Sequence, residues 1–213
     1  MSLTQQLKEK AALSVNKHPE NIREVMNKAI QELADSQLIP KALKTGDTIP
    51  KIILPNASNK LVSVQELLLD NKVILSFYRG GWCPYCNLEL RALQNSQEKF
   101  KKLGAILVAI SPETPDNSLS TLEKNNLSFE ILSDVDNVIS SAFNLTFTLP
   151  KDLVEIYNNF GINLEQSNGN KKNQLPIAAT YIIDQNGTII YDFIKEDYKE
   201  RADPDKIIKN LTK

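Results

Sequence analysis

The chain has 213 residues, with 25 basic and 26 acidic side chains and a formal net charge of −1. This balance, and the lack of any block of Lys and Arg, argue against nucleic acid or an anionic membrane as a partner. No stretch approaches the roughly 18 apolar residues of a membrane span. Residues 1–10 lack the basic start and apolar centre of a signal peptide, so we expect a cytoplasmic location.

The first part of the chain, residues 2–38, is predicted to be helical, with apolar side chains recurring at helical spacing in its second half. These side chains are Ile22, Val25, Met26, Ala29, Ile30 and Leu33. The stripe has to be buried, either against the body of the domain, which we expect, or in the interface of a homodimer. We therefore divide the chain into an N-terminal helical extension, residues 1–43, and one domain, residues 44–213.

Strands and helices are predicted to alternate over the next hundred residues. The predicted strands are residues 49–54, 72–78, 105–110 and 129–132, and the predicted helices are residues 64–69, 88–102, 116–125 and 136–143. The runs at 72–78 and 105–110 are almost continuously apolar, which is typical of buried parallel strands. This alternation predicts an α/β fold.

Residues 144–175 form an irregular insertion, with a helical stretch near 153–157 and a polar loop at 166–173. It could overhang the site described below, but an ordinary solvent-facing loop is the simpler expectation.

The end of the domain is more regular. Two strands, residues 179–184 and 188–193, flank Asn186-Gly187, a strong hairpin signal. Asp203-Pro204 is expected to cap and open a final helix at 205–211. The hairpin makes the predicted sheet a mixed one.

The two cysteines, Cys83 and Cys86, are the only ones in the chain. They lie in residues 77–86, Phe-Tyr-Arg-Gly-Gly-Trp-Cys-Pro-Tyr-Cys, where a predicted strand is followed by a predicted helix. A Cys-x-x-C pair in this position predicts a redox site. A cysteine at a helix N-terminus titrates at roughly 3.5 to 7.5, against about 8.5 for a free thiol. Cys83 is at the expected helix start, and Pro84 suits the first helical position.

Neighbouring residues fit the same chemistry. Arg79 adds positive charge, and Cys86 falls on the same face of the first helical turn as Cys83. A disulfide between them could then open and close with little backbone movement. Gly80-Gly81 allows a sharp turn and Trp82 can cover one side. We predict Cys83, Cys86 and Arg79 as catalytic residues. Either cysteine could attack a peroxide; for attack on a disulfide, the helix-start position favours Cys83 on electrostatic grounds.

Two other interpretations of the cysteines are weaker. Inert, buried cysteines would not explain Pro84 at a strand–helix boundary. A zinc site needs four ligands, and the only histidine, His18, lies in a separate helical segment. We therefore expect neither a metal nor an organic cofactor. Glu89 and Arg91 are expected on an exposed helix face.

The arrangement resembles the thioredoxin superfamily, and within it the peroxiredoxin-like proteins of the alkyl hydroperoxide reductase/thiol-specific antioxidant family. The resemblance covers about residues 44–212 and rests on residues 46–50, 77–86 and 179–184 with Asn186-Gly187. It implies a thioredoxin-like fold with a mixed central sheet flanked by helices. It also implies a thiol peroxidase that takes a peroxide and is re-reduced by a thioredoxin- or glutaredoxin-type protein.

The chain departs from the family motif Pro-x-x-x-Thr-x-x-Cys. With Cys86 as the attacking residue, the Pro and Thr positions hold Arg79 and Cys83. With Cys83 as the attacking residue, they hold Ser76 and Gly80. The second arginine of the family falls at or near Ala178.

Three functions follow from these residues. The first is a peroxidase in which one cysteine becomes a sulfenic acid and the other condenses with it. The second is a dithiol–disulfide oxidoreductase in which Cys83 attacks and Cys86 resolves. The third is a non-catalytic interaction module on the same scaffold.

Overall fold

A five-stranded mixed sheet, ordered β5-β4-β3-β8-β9, organises the computed structural model, which describes residues 1–213. The strands are β1 Ile53–Pro55, β2 Leu61–Ser63, β3 Lys72–Phe77, β4 Ala105–Ser111, β5 Glu130–Ser133, β6 Thr146–Thr148, β7 Gln174–Pro176, β8 Ala179–Ile183 and β9 Ile189–Ile194. The helices are α1 Leu3–Lys17, α2 Glu20–Asp35, α3 Leu38–Lys41, α4 Val64–Leu67, α5 Pro84–Lys102, α6 Pro115–Lys124, α7 Val138–Ala142, α8 Lys151–Asn159, α9 Leu164–Asn168 and α10 Pro204–Leu211. None of the helices is long and apolar enough to cross a membrane.

The central strand β3 is parallel to β4 and antiparallel to β8, which confirms the predicted mixed sheet. Residues 73–77 are completely buried because helices and loops cover both faces of the sheet. The β8–β9 hairpin turns at Asn186-Gly187, where Gly187 has φ +82°. The sheet therefore presents the carboxyl end of β3, which leads into Cys83, in the middle of the domain.

Helix α1 packs on the same face of the sheet as α5 and α10. Leu3 and Leu7 are buried in the apolar cluster that also contains Leu90 of α5 and Ile207 of α10. Thr4 donates through its backbone N–H and its hydroxyl to Asp203 Oδ2, at 3.1 and 3.0 Å. The N-terminal helix is thus attached to the start of the final helix.

The apolar stripe of α2 is buried by its own chain, as the first alternative expected. Val25, Met26 and Ala29 pack against a cluster built around Leu153 and Tyr157 of α8. Leu33 continues the stripe into the core on the second face of the sheet. The homodimer, and the division at residue 43, stay predictions.

Two regions differ from the prediction. The strand expected at 49–54 is shorter, and it pairs with a strand that was not predicted, β2, around a turn in which Asn56 Oδ1 accepts the backbone N–H groups of Ser58 and Lys60. In the insertion, β6 and β7 form an antiparallel pair, and α9 takes the first part of the expected polar loop. These strands have three residues each, too few for a recognisable alternation.

Candidate active site

The cysteines occupy the predicted place between β3 and α5. Cys83 is the N-cap residue of α5, Pro84 takes the first helical position, and Cys86 lies in the first turn. Both thiols are free and buried, with 1% of Cys83 and 0% of Cys86 exposed. The backbone N–H of Cys86, in the first turn of the helix, helps to lower the pKa of Cys83.

Two glycines make room for this turn. Gly80 has φ +148°, and a Cβ there would lie 2.3 Å from Nε1 of Trp82. A Cβ on Gly81 would lie 1.9 Å from Oγ1 of Thr121. The backbone of Gly81 is held on both sides, because its N–H donates to Glu113 Oε2 at 2.9 Å and its carbonyl accepts from Asn87 at 2.8 Å. The turn is fixed by the parts of the domain around it.

Opposing effects set the pKa of Cys83. Burial raises it, whereas a hydrogen bond with the Cys86 thiol and the charges of Arg79 and Arg201 lower it. The lowering effects prevail and bring the pKa of Cys83 to about 6. Most of Cys83 is then thiolate at neutral pH, which is the nucleophilic form.

Cys86, by contrast, is kept protonated. Burial and the neighbouring Cys83 raise the pKa of Cys86 well above its ordinary value. Arg201 Nη2 donates to Cys86 Sγ at 3.5 Å, while Arg201 Nε lies 2.7 Å from Glu89 Oε2. Burial raises the pKa of the Glu89 carboxyl, and the charge of Arg201 opposes this. Cys86 is thus a thiol with a cation already beside it.

Arg79 is the second buried cation, and three aromatic rings surround it. Its guanidinium lies 5.1 Å from the ring centroid of Trp82, 5.6 Å from that of Tyr157 and 4.5 Å from that of Tyr198. Nη2 donates to the Tyr157 hydroxyl, but Nε has no hydrogen-bond partner although Arg79 is only 3% exposed. Arg201 donates from Nη1 and Nη2 to protein groups. Nε1 of Trp82, like Nε of Arg79, has no hydrogen-bond partner, so these two side chains offer free donors to an incoming molecule.

A cleft of about 710 Å³, including its open mouth, reaches Cys83 but not Cys86. Its walls come from α1, from the start of α5 and from the end of α8, and Arg79 also lines it. A second, mainly apolar pocket, with an accessible volume of only about 30 Å³, shares Met26, Tyr157 and Tyr198 with the cleft. Arg79 lines both spaces.

The structure brings the three predicted residues, Cys83, Cys86 and Arg79, together. The expectation for Glu89 was wrong: it is 1% exposed and pairs with Arg201, because it lies on the face of α5 that carries Cys86. Arg91 is exposed, as expected. His18 ends α1 and stacks on Phe160 at 4.8 Å between ring centroids.

The insertion at 144–175 overhangs the site instead of facing solvent only. Tyr157 contacts Arg79, and Phe160 and Ile162 line the cleft. The simpler expectation of an ordinary loop was therefore wrong, because helix α8 turns a buried face toward the cysteines.

Three residues at the site, Arg201, Tyr198 and Glu113, were missed. Arg201 and Tyr198 belong to a loop before α10 that has no periodic pattern. Glu113 follows β4 and is 3% exposed, and burial raises the pKa of its carboxyl to about 7. The end of a predicted parallel strand was the one signal that could have indicated Glu113.

Comparison with known proteins places the chain in a family. Residues 45–192 match the model of the AhpC/TSA family. Peroxiredoxin Bcp of Escherichia coli K12 is 30% identical over 101 residues, which is 47% of this chain and 64% of that protein. The chloroplastic peroxiredoxin Q of Gentiana triflora is 31% identical over 144 residues, 68% of this chain and 56% of that protein. The chain thus covers less than two thirds of the length of these relatives.

Solved structures show the same fold. Peroxidoxin BcpB of Mycobacterium tuberculosis superposes with a TM-score of 0.63 and 21% identity, over 80% of this chain and 97% of that one. Bacterioferritin comigratory protein of Xanthomonas campestris gives a TM-score of 0.60 and 14% identity, over 78% and 98%. This confirms the predicted thioredoxin-like fold. With the family model covering most of its length, the chain belongs to the AhpC/TSA family.

Proposed function

We propose that the protein is a thiol-dependent peroxidase that reduces hydrogen peroxide or organic hydroperoxides through Cys83 and Cys86. One observation carries this proposal: Cys83, with its pKa lowered to about 6, lies at the floor of an open cleft beside Arg79. A nucleophile and a free cationic donor at one accessible point are what an attack on a peroxide oxygen needs. The relatives named peroxiredoxin support the same reaction.

The reaction proceeds in two steps. The Cys83 thiolate attacks one peroxide oxygen, the O–O bond breaks, and the other oxygen leaves as an alcohol or water after taking a proton. Cys83 is then a sulfenic acid. Cys86 attacks its sulfur, a disulfide forms, and the sulfenic oxygen leaves as water.

The two arginines have different roles in this proposal. Arg79, whose Nε is unpartnered, stabilises the charge that develops on the peroxide oxygens. Arg201, fixed by Glu89, stabilises Cys86 as a thiolate when it attacks. The position of the family's second arginine, at or near Ala178, holds no arginine in this chain.

Regeneration needs a thiol donor, and membership of the family supports a thioredoxin- or glutaredoxin-type protein as one candidate. A Cys pair that oxidises only during turnover suits the reducing cytoplasm.

The test is peroxide consumption by the purified protein with dithiothreitol as reductant. We expect Cys83→Ser to lose activity completely. Cys86→Ser should accumulate a sulfenic acid on Cys83, detected with a dimedone probe and mass spectrometry. Consumption no faster than that of the double Cys→Ser variant would refute the peroxidase.

A dithiol–disulfide oxidoreductase is the second candidate, favoured by the Cys-Pro-Tyr-Cys sequence with the low pKa on its first cysteine. The 1% exposure of Cys83 argues against a protein disulfide as substrate. Reduction of insulin at a rate comparable to peroxide consumption would favour this candidate instead.

A further inference from the structure

The cleft over Cys83 is positively charged. Lys10 and Lys17 of α1, together with His18 and Arg79, line it, and none of its fifteen lining residues is acidic. Neither lysine takes part in an ion pair within the chain. The mouth of the cleft therefore has free cations and no carboxylate to neutralise them, which favours an anionic ligand.

The cleft is also confined. Cys83 lies at its floor with 1% exposure, and Phe160, stacked on His18, stands at its rim. A protein donor would have to push its own cysteine below this rim. The space that a ligand can enter in the cleft measures about 150 Å³, so the cleft takes a small molecule.

We propose that this cleft binds a low-molecular-weight thiol that carries carboxylate groups, and that this thiol reduces the Cys83–Cys86 disulfide. The proposal rests on the proposed function, because the peroxidase reaction forms that disulfide. Carboxylates of the thiol pair with Lys10 and Lys17, and its sulfur reaches Cys83. The wall that carries these lysines, helix α1, lies outside the part of the chain that matches the family model.

The exchange takes two molecules of the thiol. The first, as thiolate, attacks Cys83 Sγ and breaks the disulfide, and Cys86 leaves as a thiolate beside Arg201. The second attacks the donor's sulfur in the mixed disulfide. This forms the oxidised donor disulfide and returns Cys83 to a thiolate, so two thiols supply the two electrons.

The test compares thiols of different charge on the oxidised protein: anionic glutathione, neutral 2-mercaptoethanol and cationic cysteamine. Trp82, the only tryptophan, lies beside the site and reports reduction by its fluorescence. Each rate is read as a ratio between variant and wild type, which cancels the intrinsic reactivity of the thiol.

In the double variant Lys10→Gln/Lys17→Gln, we expect glutathione to reduce the disulfide about tenfold more slowly than in the wild type. The rate with 2-mercaptoethanol should not change, and the rate with cysteamine should rise. About 1 M salt should remove these differences. Lys8→Gln is the matched control, since Lys8 is exposed on the same helix but faces a different cleft. It should behave as wild type.

A second measurement uses Cys86→Ser after peroxide. Glutathione should condense with the Cys83 sulfenic acid, releasing water and leaving a mixed disulfide that mass spectrometry locates on Cys83. The inference is wrong if all three thiols respond alike to the double substitution, or if only a thioredoxin-type protein reduces the disulfide. If the protein still consumes peroxide with dithiothreitol as reductant, such a result refutes only the small-thiol donor. If it consumes no peroxide with dithiothreitol, the peroxidase itself is refuted.

Discussion

Arg201 Nε lies 2.7 Å from Glu89 Oε2, and both side chains are 1% exposed. The same guanidinium donates from Nη2 to Cys86 Sγ at 3.5 Å. A buried cation at this point would be costly without Glu89, since desolvation penalises an unpaired charge. Glu89 therefore acts on the site through Arg201.

Glu89→Ala should destabilise the fold by about 3–5 kcal/mol, because it leaves Arg201 buried and unpaired. Urea unfolding followed by circular dichroism measures the loss. Glu98→Ala, on the exposed face of the same helix, should change stability by no more than about 0.5 kcal/mol. Equal stability of the two variants would mean that the buried pair contributes nothing.

Arg79→Ala should lower kcat/KM for hydrogen peroxide by about 100-fold or more, because the free donor beside Cys83 is lost. The pKa of Cys83 should rise as well, since the charge of Arg79 lowers it. Peroxide consumption and the ultraviolet absorbance of the thiolate measure the two effects. Lys99→Ala removes an exposed cation of α5 and should leave both unchanged.

Alkylation of Cys83 by iodoacetamide should follow a titration with its midpoint near pH 6. Cys86→Ala should move the midpoint upward, because the hydrogen bond from the Cys86 thiol is lost. The pKa of Cys83 in the folded protein lies below its value of about 8.5 in the unfolded chain, so its thiolate stabilises the fold above about pH 8.5. This stabilisation is lost as the pH falls through 6. A midpoint above 8 in the wild type would contradict the proposed nucleophile.

The pH dependence of stability that comes from the Glu113 carboxyl should have the opposite sign to that from Cys83. Burial raises its pKa from 4.5 to about 7, so the neutral form stabilises the fold below pH 4.5 and this contribution is lost as the pH rises through 7. The loss amounts to roughly 3 kcal/mol. Relative to Glu113→Gln, whose amide oxygen can still accept the Gly81 N–H, the wild type should lose stability over this range. Parallel stability curves for the two proteins would show that Glu113 does not titrate there.

Gly81→Ala should destabilise the turn before the cysteines, because the new Cβ would meet Thr121 Oγ1 at 1.9 Å. The expected cost is about 1–3 kcal/mol, as for other overpacked sites. Thr121→Ala should recover part of it in the double variant, since the nearest remaining atom, Thr121 Cβ, would be 3.1 Å away. A double-mutant cycle of thermal unfolding checks the coupling, and additive effects would argue against the contact.

Much of the fold could be predicted because local patterns and tertiary structure agree. The apolar runs of β3 and β4 are parallel central strands, and Asn186-Gly187 forms the hairpin. Asp203 caps α10, accepting the backbone N–H of Asp205. The short strands β2, β6 and β7 could not be found, since three residues carry no periodic signal.

The site was predictable only where its residues are consecutive. Cys83, Cys86 and Arg79 belong to one decapeptide, so they lie close together in the fold because they are close in the sequence. Arg201 and Tyr198 reach the site through tertiary contacts that no local pattern encodes. The helical spacing of Glu89 from Cys86 is compatible with either an exposed or a buried position. Glu89 is buried because the buried cation of Arg201 pairs with it.

The pairing of Cys86 with Arg201 also bears on how the protein is made. Arg201 follows Cys86 by 115 residues, so the ribosome synthesises the cysteines long before their cationic partner. Until that loop docks, the thiols lack one of the two charges that activate them. The low pKa of Cys83 is therefore reached only when the fold is complete.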